Sequence, residues 1–263
     1  MNSSSTSQHL SDLLRHLRNK NFAVLPRHAG PAETFVDRLV GWANRAREFV
    51  LARRGFRLVV SEQIVEHPMV LSHLRPADRR ILDFGGYESV LPLQLTALGR
   101  EVTVLDQRRY PFQHPNLCVV CCDLLDPQLS LGAQYDLVVS ISTIEHLGLG
   151  NYGDIQEVDA DRRGVSVLWS LVRPGGRLMA SVPAGRPAVQ RGYRVYDEAR
   201  IRATFPATAY IHWFRKHGRE GAWREVTAND VQQVVYGEPL GQMPVEAVAF
   251  IICEKPLATE PVV

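Results

Sequence analysis

From Arg80 onward, short apolar runs alternate with helical or turn segments, and no other feature restricts the fold so tightly. The runs are Arg80–Phe84, Glu101–Leu105, Leu117–Cys121, Tyr135–Ser140 and Arg177–Val182. Strands that are apolar throughout have to be covered on both faces, and strands joined through helices pair in parallel. The expected fold is therefore α/β, with a doubly wound and mostly parallel sheet. Two later runs, "AYIHWFRK" and "VEAVAFIICEK", are joined by a segment too short and polar for another crossover helix, so they are expected to form an antiparallel edge.

Ahead of this pattern, residues 8–18 and 31–54 carry apolar positions at helical spacing. Phe35, Leu39, Trp42, Ala46, Phe49 and Val50 share a face, and Pro31 suits a first turn. The expected organisation is an N-terminal helical extension over 1–61, a main domain over 62–257 and a flexible tail over 258–263. The first 60 residues hold ten Lys/Arg against four Asp/Glu, a net +6 that leaves −4 for the rest of a chain whose total is +2. Scattered among apolar positions, these arginines read as a solvated helix face; attraction of an anionic substrate or a polyanion is the sharper alternative. A helix from Glu62 to Leu74 is expected to break or kink at Pro68. No apolar run approaches the roughly 18 residues of a membrane span, and the polar opening "MNSSSTSQHLSDLL" lacks the apolar centre of a secretory signal. The expected location is the cytoplasm. Of the four cysteines, Cys118, Cys121 and Cys122 fall in an apolar run and read, with Cys253, as buried filler rather than a disulfide framework or zinc ribbon.

In "ILDFGGYES" the first strand ends at Asp83, two glycines follow, and Ser89 can cap the helix "VLPLQLTAL", whose Leu91, Leu95 and Leu98 share a face before Gly99 ends it. A strand, a tight glycine turn and a helix N-terminus let the backbone approach a nucleotide-like ligand closely, although any parallel sheet needs such a turn. The second strand ends at Asp106, about twenty residues beyond the glycines, where a carboxylate can accept both hydroxyls of a ribose. Gln107 stands beside it. Asp123 follows the third strand, placed to hold an adenine amino group while Leu124 lies along the ring. Three acids at the carboxyl ends of three successive strands point to the edge where open parallel sheets bind ligands.

Together with "STIEHLGLGNYGD" after the fourth strand, and "LVRPGGRLMASVPAG" and "RVYDEARI" beyond it, the stretch "DFGGYES" resembles the class I S-adenosylmethionine-dependent methyltransferases over about residues 62–256. The likeness is greatest to a small bacterial group with "DxGCGES" after its first strand. It implies a Rossmann-like, seven-stranded sheet with an antiparallel last strand, and S-adenosyl-L-methionine laid across the carboxyl ends of strands one to four. The cofactor contacts it implies are Asp83, Gly85, Gly86, Tyr87, Asp106, Gln107, Asp123, Leu124 and Ser142. One position departs: the family's Cys-Gly stands here as Gly86-Tyr87. Either the positive-φ position moves to Gly86 and the Tyr87 ring joins the pocket wall, where a ring beside a cation contributes ~0.5–2 kcal/mol, or the ring fills the methionine end and the protein is a silent relative. Retention of Asp83, Gly85, Asp106 and Asp123 favours a working site.

Methyl transfer is a displacement at carbon that depends on positioning, and an oxygen acceptor gains from a base that removes its proton. His146 has the titration range for this, with Glu145 beside it. A helix-start pair satisfying backbone is the plainer reading of these two residues. Metal ligation is set aside, because Asp154, Asp159, Asp161 and His212 supply no diagnostic spacing. Tyr152 and Asp154 in the glycine-rich loop, and Arg186, Arg191, Arg194 and Tyr196 after the fifth strand, are the expected acceptor contacts, suited to a phosphate, a carboxylate or a sugar. The aromatic and basic "WFRKHGREGAWREV" could stack on single-stranded nucleic acid, but the resemblance implies an edge hairpin beside the sheet there and no nucleic-acid partner is expected. The function expected is O-methylation of a small molecule or glycan precursor, with no membrane partner and a homodimer left open. A silent scaffold and a nicotinamide-dependent oxidoreductase are the rivals.

Overall fold

In the computed structural model the chain divides into two compact units, Met1–Val59 and Val60–Val263. The structure describes residues 61–132, 134–150, 156–190, 192–206, 209–216, 222–236 and 245–257, all in the second unit. The helices expected over 8–18 and 31–54, and the tail over 258–263, lie outside the described residues.

Helix α1 (Gln63–Ser72) accommodates Pro68 within it and leads through a turn into β1 (Arg80–Phe84). A short 3-10 turn (Gly86–Glu88) and α2 (Leu91–Ala97) then connect to β2 (Glu101–Asp106), β3 (Leu117–Cys121) and β4 (Tyr135–Ile141). Helix α3 (Ala160–Leu171) precedes the long β5 (Val172–Pro183), and a small hairpin of β6 (Ala188–Gln190) and β7 (Tyr193–Val195) leads to α4 (Glu198–Thr204). The last elements are β8 (Ala209–Lys216), β9 (Trp223–Val226), α5 (Ala228–Gln232) and β10 (Ala247–Glu254).

The main sheet runs β3-β2-β1-β4-β5-β10-β8-β9. Strands β1 to β5 pair in parallel, while β10 runs against both β5 and β8. This is the doubly wound sheet expected, and β9 pairs antiparallel with β8 as the edge hairpin expected over "WFRKHGREGAWREV", which makes eight strands rather than seven. The separate β6–β7 ribbon was not anticipated. Both faces are covered. Ile81, Leu137 and Val139 point to a layer with Val70, Leu91 and Leu95 from α1 and α2, whereas Leu82 and Val138 point to one with Val165, Leu168 and Ile201 from α3 and α4.

Two expectations fail at the margins. Strand β3 is an edge strand, so Cys118 and Cys121 are exposed rather than filler; only Cys253, in the centre of the sheet, is buried. Leu98 is exposed beyond the end of α2, because the helix stops before that position can turn inward. Ser89 stands one residue outside the cap, its hydroxyl accepting from the Leu91 N–H at 3.1 Å, and Gly99 ends the segment at φ 78°. No helix among the described residues is long and apolar enough to cross a membrane.

The amino end of the sheet is tied by buried charge. Arg177 at the regular start of β5 pairs with Asp78, both nearly inaccessible, and also donates to the His73 carbonyl at 2.9 Å. Asp78 in turn accepts from the Arg75 N–H at 2.7 Å. Removing one partner of a buried pair strands the other charge, so Asp78→Ala is expected to cost about 3–5 kcal/mol in urea unfolding.

Candidate functional site

The chain steps outward from β1 to β3 and returns to β4 on the other side of β1, so the loops after β1 and β4 part at the carboxyl edge. A crevice at such a reversal is where open α/β sheets bind ligands. A cavity of about 330 Å³ lies there. Of the residues expected from the sequence, Asp83, Gly85, Asp106, Gln107, Asp123, Leu124, Ser142, Glu145 and His146 line it.

Gly85 forms the bend of the loop after β1. It sits at φ 79°, and a Cβ there would come 2.2 Å from the Thr143 hydroxyl on the loop after β4. Only a bare backbone fits, and the left-handed conformation independently strains any residue with a side chain. The positive-φ position has therefore stayed at Gly85 and has not moved to Gly86. Tyr87 is correspondingly neither part of the wall nor a plug: its ring is buried outside the cavity, with the Arg108 guanidinium 4.1 Å from the ring centre. Its backbone N–H donates to Asp106 at 3.2 Å. Gly86 also lies behind the lining, packed on Asp83.

The strand-tip acids differ in their surroundings. Asp106 accepts backbone N–H groups from Tyr87 and, at 2.9 Å, from Arg108, whose side chain bridges to Glu88 at 3.0 Å. Asp123 accepts from the Leu125 N–H at 2.8 Å and from the Gln107 amide at 3.1 Å. Asp83 is the most deeply buried of the three. Burial first, and then the charge of Asp106, push its carboxyl up to about 8, and its Oδ2 has no partner among the described residues.

The wall across from these acids is backed by residues that no motif announced, Ser181 and Glu66, which hold the expected Ser142 in place. Ser142 has φ 46°, alone in this respect among described non-glycine residues, and such a backbone persists only where its surroundings hold it. Ser181 does so by accepting the Ser142 N–H at 3.0 Å, and the hydroxyls of both serines donate to Glu66 Oε1 at 2.7 Å. Glu66 is wholly buried in α1, behind the lining. Burial first and the charge of Glu62 second push its carboxyl up to about 8, against the two serine hydroxyls that pull it down.

Glu145 and His146 form a 3-10 turn after β4. Three consecutive residues of the β6–β7 ribbon hold this turn. The Gly192 carbonyl meets His146 Nδ1, the Tyr193 ring stands edge-on to the imidazole with centres 6.5 Å apart, and the Arg194 guanidinium donates to the Leu147 carbonyl, to Glu157 at 3.1 Å and to Val158 at 3.2 Å. A carbonyl only accepts, so Nδ1 carries the proton and Nε2 presents the lone pair of the neutral ring. Tyr193 also lines the cavity.

Other expected acceptor contacts lie elsewhere. Arg194 is buried in the carbonyl network just described. Tyr196 is wholly buried, its hydroxyl donating to Asp161 at 2.8 Å, and Arg186 is exposed with its backbone donating to the Val234 carbonyl; neither reaches the cavity. Tyr152, Asp154 and Arg191 lie outside the described residues.

Residues 111–235 match a family described as Caenorhabditis protein of unknown function, DUF268. No curated protein matches the chain. Among solved structures it is similar to an O-methyltransferase family protein from Burkholderia thailandensis, at 13% identity and a TM-score of 0.47 over 84% of this chain and 71% of that one. It is also similar to 1,6-didemethyltoxoflavin-N1-methyltransferase from the same organism, solved with S-adenosylhomocysteine, at 16% identity and 0.46 over 89% and 98%. A third is the N-methyltransferase NodS from Bradyrhizobium japonicum, in complex with S-adenosylhomocysteine, at 13% and 0.46 over 93% and 98%. With these TM-scores below 0.5, the fold assignment stands on the strand order of the chain itself.

The Glu66 carboxyl generates a pH dependence of known sign. Below its unfolded value of 4.5 both states are protonated; as pH rises toward about 8 the unfolded state gives up a proton that the native state keeps, so this residue costs stability across that window. Relative to wild type, Glu66→Gln is expected to gain stability from pH 5 to pH 7 at up to about 1.4 kcal/mol per pH unit, measured by urea unfolding.

Proposed function

We propose that the chain is an S-adenosylmethionine-dependent methyltransferase that acts on a small molecule or glycan precursor, at oxygen, with His146 as base. The observation that carries this reading is the convergence of Asp83, Asp106 and Asp123, from the tips of three successive strands, on one cavity beside the bare backbone of Gly85.

The residues present fit that cofactor. The orphaned Oδ2 of buried Asp83 suits the ammonium of a methionine moiety. Asp106, fixed by two backbone N–H groups, keeps lone pairs for the ribose hydroxyls, and Asp123 with Leu124 offers an acceptor and an apolar face for adenine. When bound, S-adenosylmethionine supplies an electrophilic methyl group on a positively charged sulfur. The displacement of Tyr87 from the cavity supports a working site over a silent one.

At the acceptor end, His146 takes the proton of an approaching hydroxyl on Nε2, while the Gly192 carbonyl keeps Nδ1 protonated and the ring oriented. Glu145 is wholly buried beside it, and burial, followed by the charges of Glu66 and Glu62, holds its carboxyl well above the usual carboxylate range against a backbone N–H. In the empty cavity it is therefore biased away from a fixed anion beside the imidazole. We place the protein in the cytoplasm, with the first 61 residues as a separate helical extension and Tyr152, Asp154 and Arg191 as further acceptor contacts.

Calorimetry with S-adenosylhomocysteine tests the reading. Asp106→Ala is expected to weaken binding about tenfold or more, the cost of hydrogen bonds to a charged group. His146→Ala is expected to leave the affinity intact and to slow S-adenosylhomocysteine formation on a metabolite extract by about 10²–10⁴-fold. Equal loss of cofactor affinity in both variants overturns the assignment.

A further inference from the structure

We infer that the acceptor end of the cavity is built for a compound carrying a protonated amine, with the Glu145 carboxylate as its counter-ion. The inference rests on the methyltransferase reading for which end of the cavity the acceptor takes.

Glu145 is 2% exposed, yet it belongs to the cavity wall, and its Oε2 has no hydrogen-bond partner among the described residues. Its Oε1 lies 3.8 Å from His146 Nε2, beyond hydrogen-bond length. Buried polar atoms are nearly always paired, and one left open beside a cavity calls for a donor that arrives from it. The surrounding charge says what kind of donor. Glu62 stands in the same wall, and Glu66 lies behind it with its own Oε2 unpartnered.

Among the described residues no Lys or Arg side chain pairs with the Glu145 carboxyl. The guanidinium of Arg194 approaches its backbone carbonyl at 3.4 Å and is engaged by the carbonyls of Leu147, Glu157 and Val158. The Lys216 ammonium acts on Glu62 and lies 5.4 Å from the centre of the Trp223 ring. Arg108 belongs to the opposite end, with Asp106, Glu88 and Tyr87. A phosphate or carboxylate acceptor would find no cation to pair with among the described residues here, whereas an ammonium would gain a charge-assisted hydrogen bond and an adjoining aromatic surface in Tyr193.

Burial and the neighbouring acids favour the protonated form of Glu145 in the empty cavity, and a proton held there leaves to solvent as the ammonium arrives and forms the ion pair. Asp83, with its own open oxygen at the glycine loop, remains for the ammonium of the cofactor. The geometry leaves His146 to act on a hydroxyl of the same compound, so the amine is a handle for binding.

The test uses the full chain saturated with S-adenosylhomocysteine and a matched pair of probes, cyclohexylamine and cyclohexanol, followed by ligand-observed NMR. Cyclohexylamine is expected to bind in preference to cyclohexanol, and Glu145→Gln, close in shape to the native side chain, is expected to weaken the amine about tenfold while leaving S-adenosylhomocysteine affinity within about twofold. Equal binding of the two probes, or an amine affinity indifferent to Glu145→Gln, overturns the inference. So does a variant that loses S-adenosylhomocysteine and keeps the amine, since the carboxylate then serves the cofactor. A wild-type protein that binds cyclohexylamine but not S-adenosylhomocysteine ends the methyltransferase reading and leaves the amine site standing.

Discussion

Two loops that are far apart in the chain touch at the cavity floor, and everything above the floor depends on how closely they touch. Gly85 follows β1, Thr143 follows β4, and these strands are neighbours in the sheet although the chain visits β2 and β3 between them. The approach leaves no room for a Cβ. A larger residue at this point would push the loop after β4 outward and carry Ser142, Glu145 and His146 with it. The positions of the three strand-tip acids come from the sheet alone, but their distance from the opposite wall is set by this contact.

The second constraint is electrostatic. Asp83, Glu66 and Glu145 are buried within one small region, and each is driven toward its neutral form. Burying carboxyls this way subtracts from stability, and nothing in the packing of the sheet requires it. Core positions on α1 and β4 accept hydrophobic side chains elsewhere, as Val70 and Val139 do. The cost makes sense if arriving cations convert the carboxyls to useful anions, and a positively charged sulfur and a protonated amine are two such cations. The cavity is then least comfortable when empty, a common property of sites arranged for a transition state or ligand rather than for the resting fold.

Much of this architecture was legible in the chain. Five parallel strands announced themselves because burial on both faces leaves no polar alternation, and Asp83, Asp106 and Asp123 were found because the carboxyl ends of those strands follow directly from their limits. The same logic misread β3, where cysteine and valine look buried although the strand is at an edge: composition reports what a face tolerates, not whether a neighbour covers it. Strands β6 and β7 are three residues long, too short for a periodic signal. Glu66 was beyond reach for another reason: it lies 76 residues from Ser142 and stands in no motif. Arg194 was singled out in "RVYDEARI" as an acceptor contact, but its carbonyl partners, such as Leu147 at 47 residues' separation, were not legible. Tyr87, which looked like the obstacle, was resolved by Arg108, whose guanidinium keeps the ring outside.

Gly192, Tyr193 and Arg194 hold the turn that carries His146, and Tyr193 also lines the cavity. The shape of the cavity wall and the orientation of the imidazole are thus inherited through one tripeptide. On the proposed function, a lineage that drifts toward a new acceptor by changing this ribbon disturbs its proposed base as well, which would slow such diversification and direct it to other parts of the rim. The same linkage gives a rule for chimaeras: a ribbon borrowed from a relative has to bring its own partner turn with it.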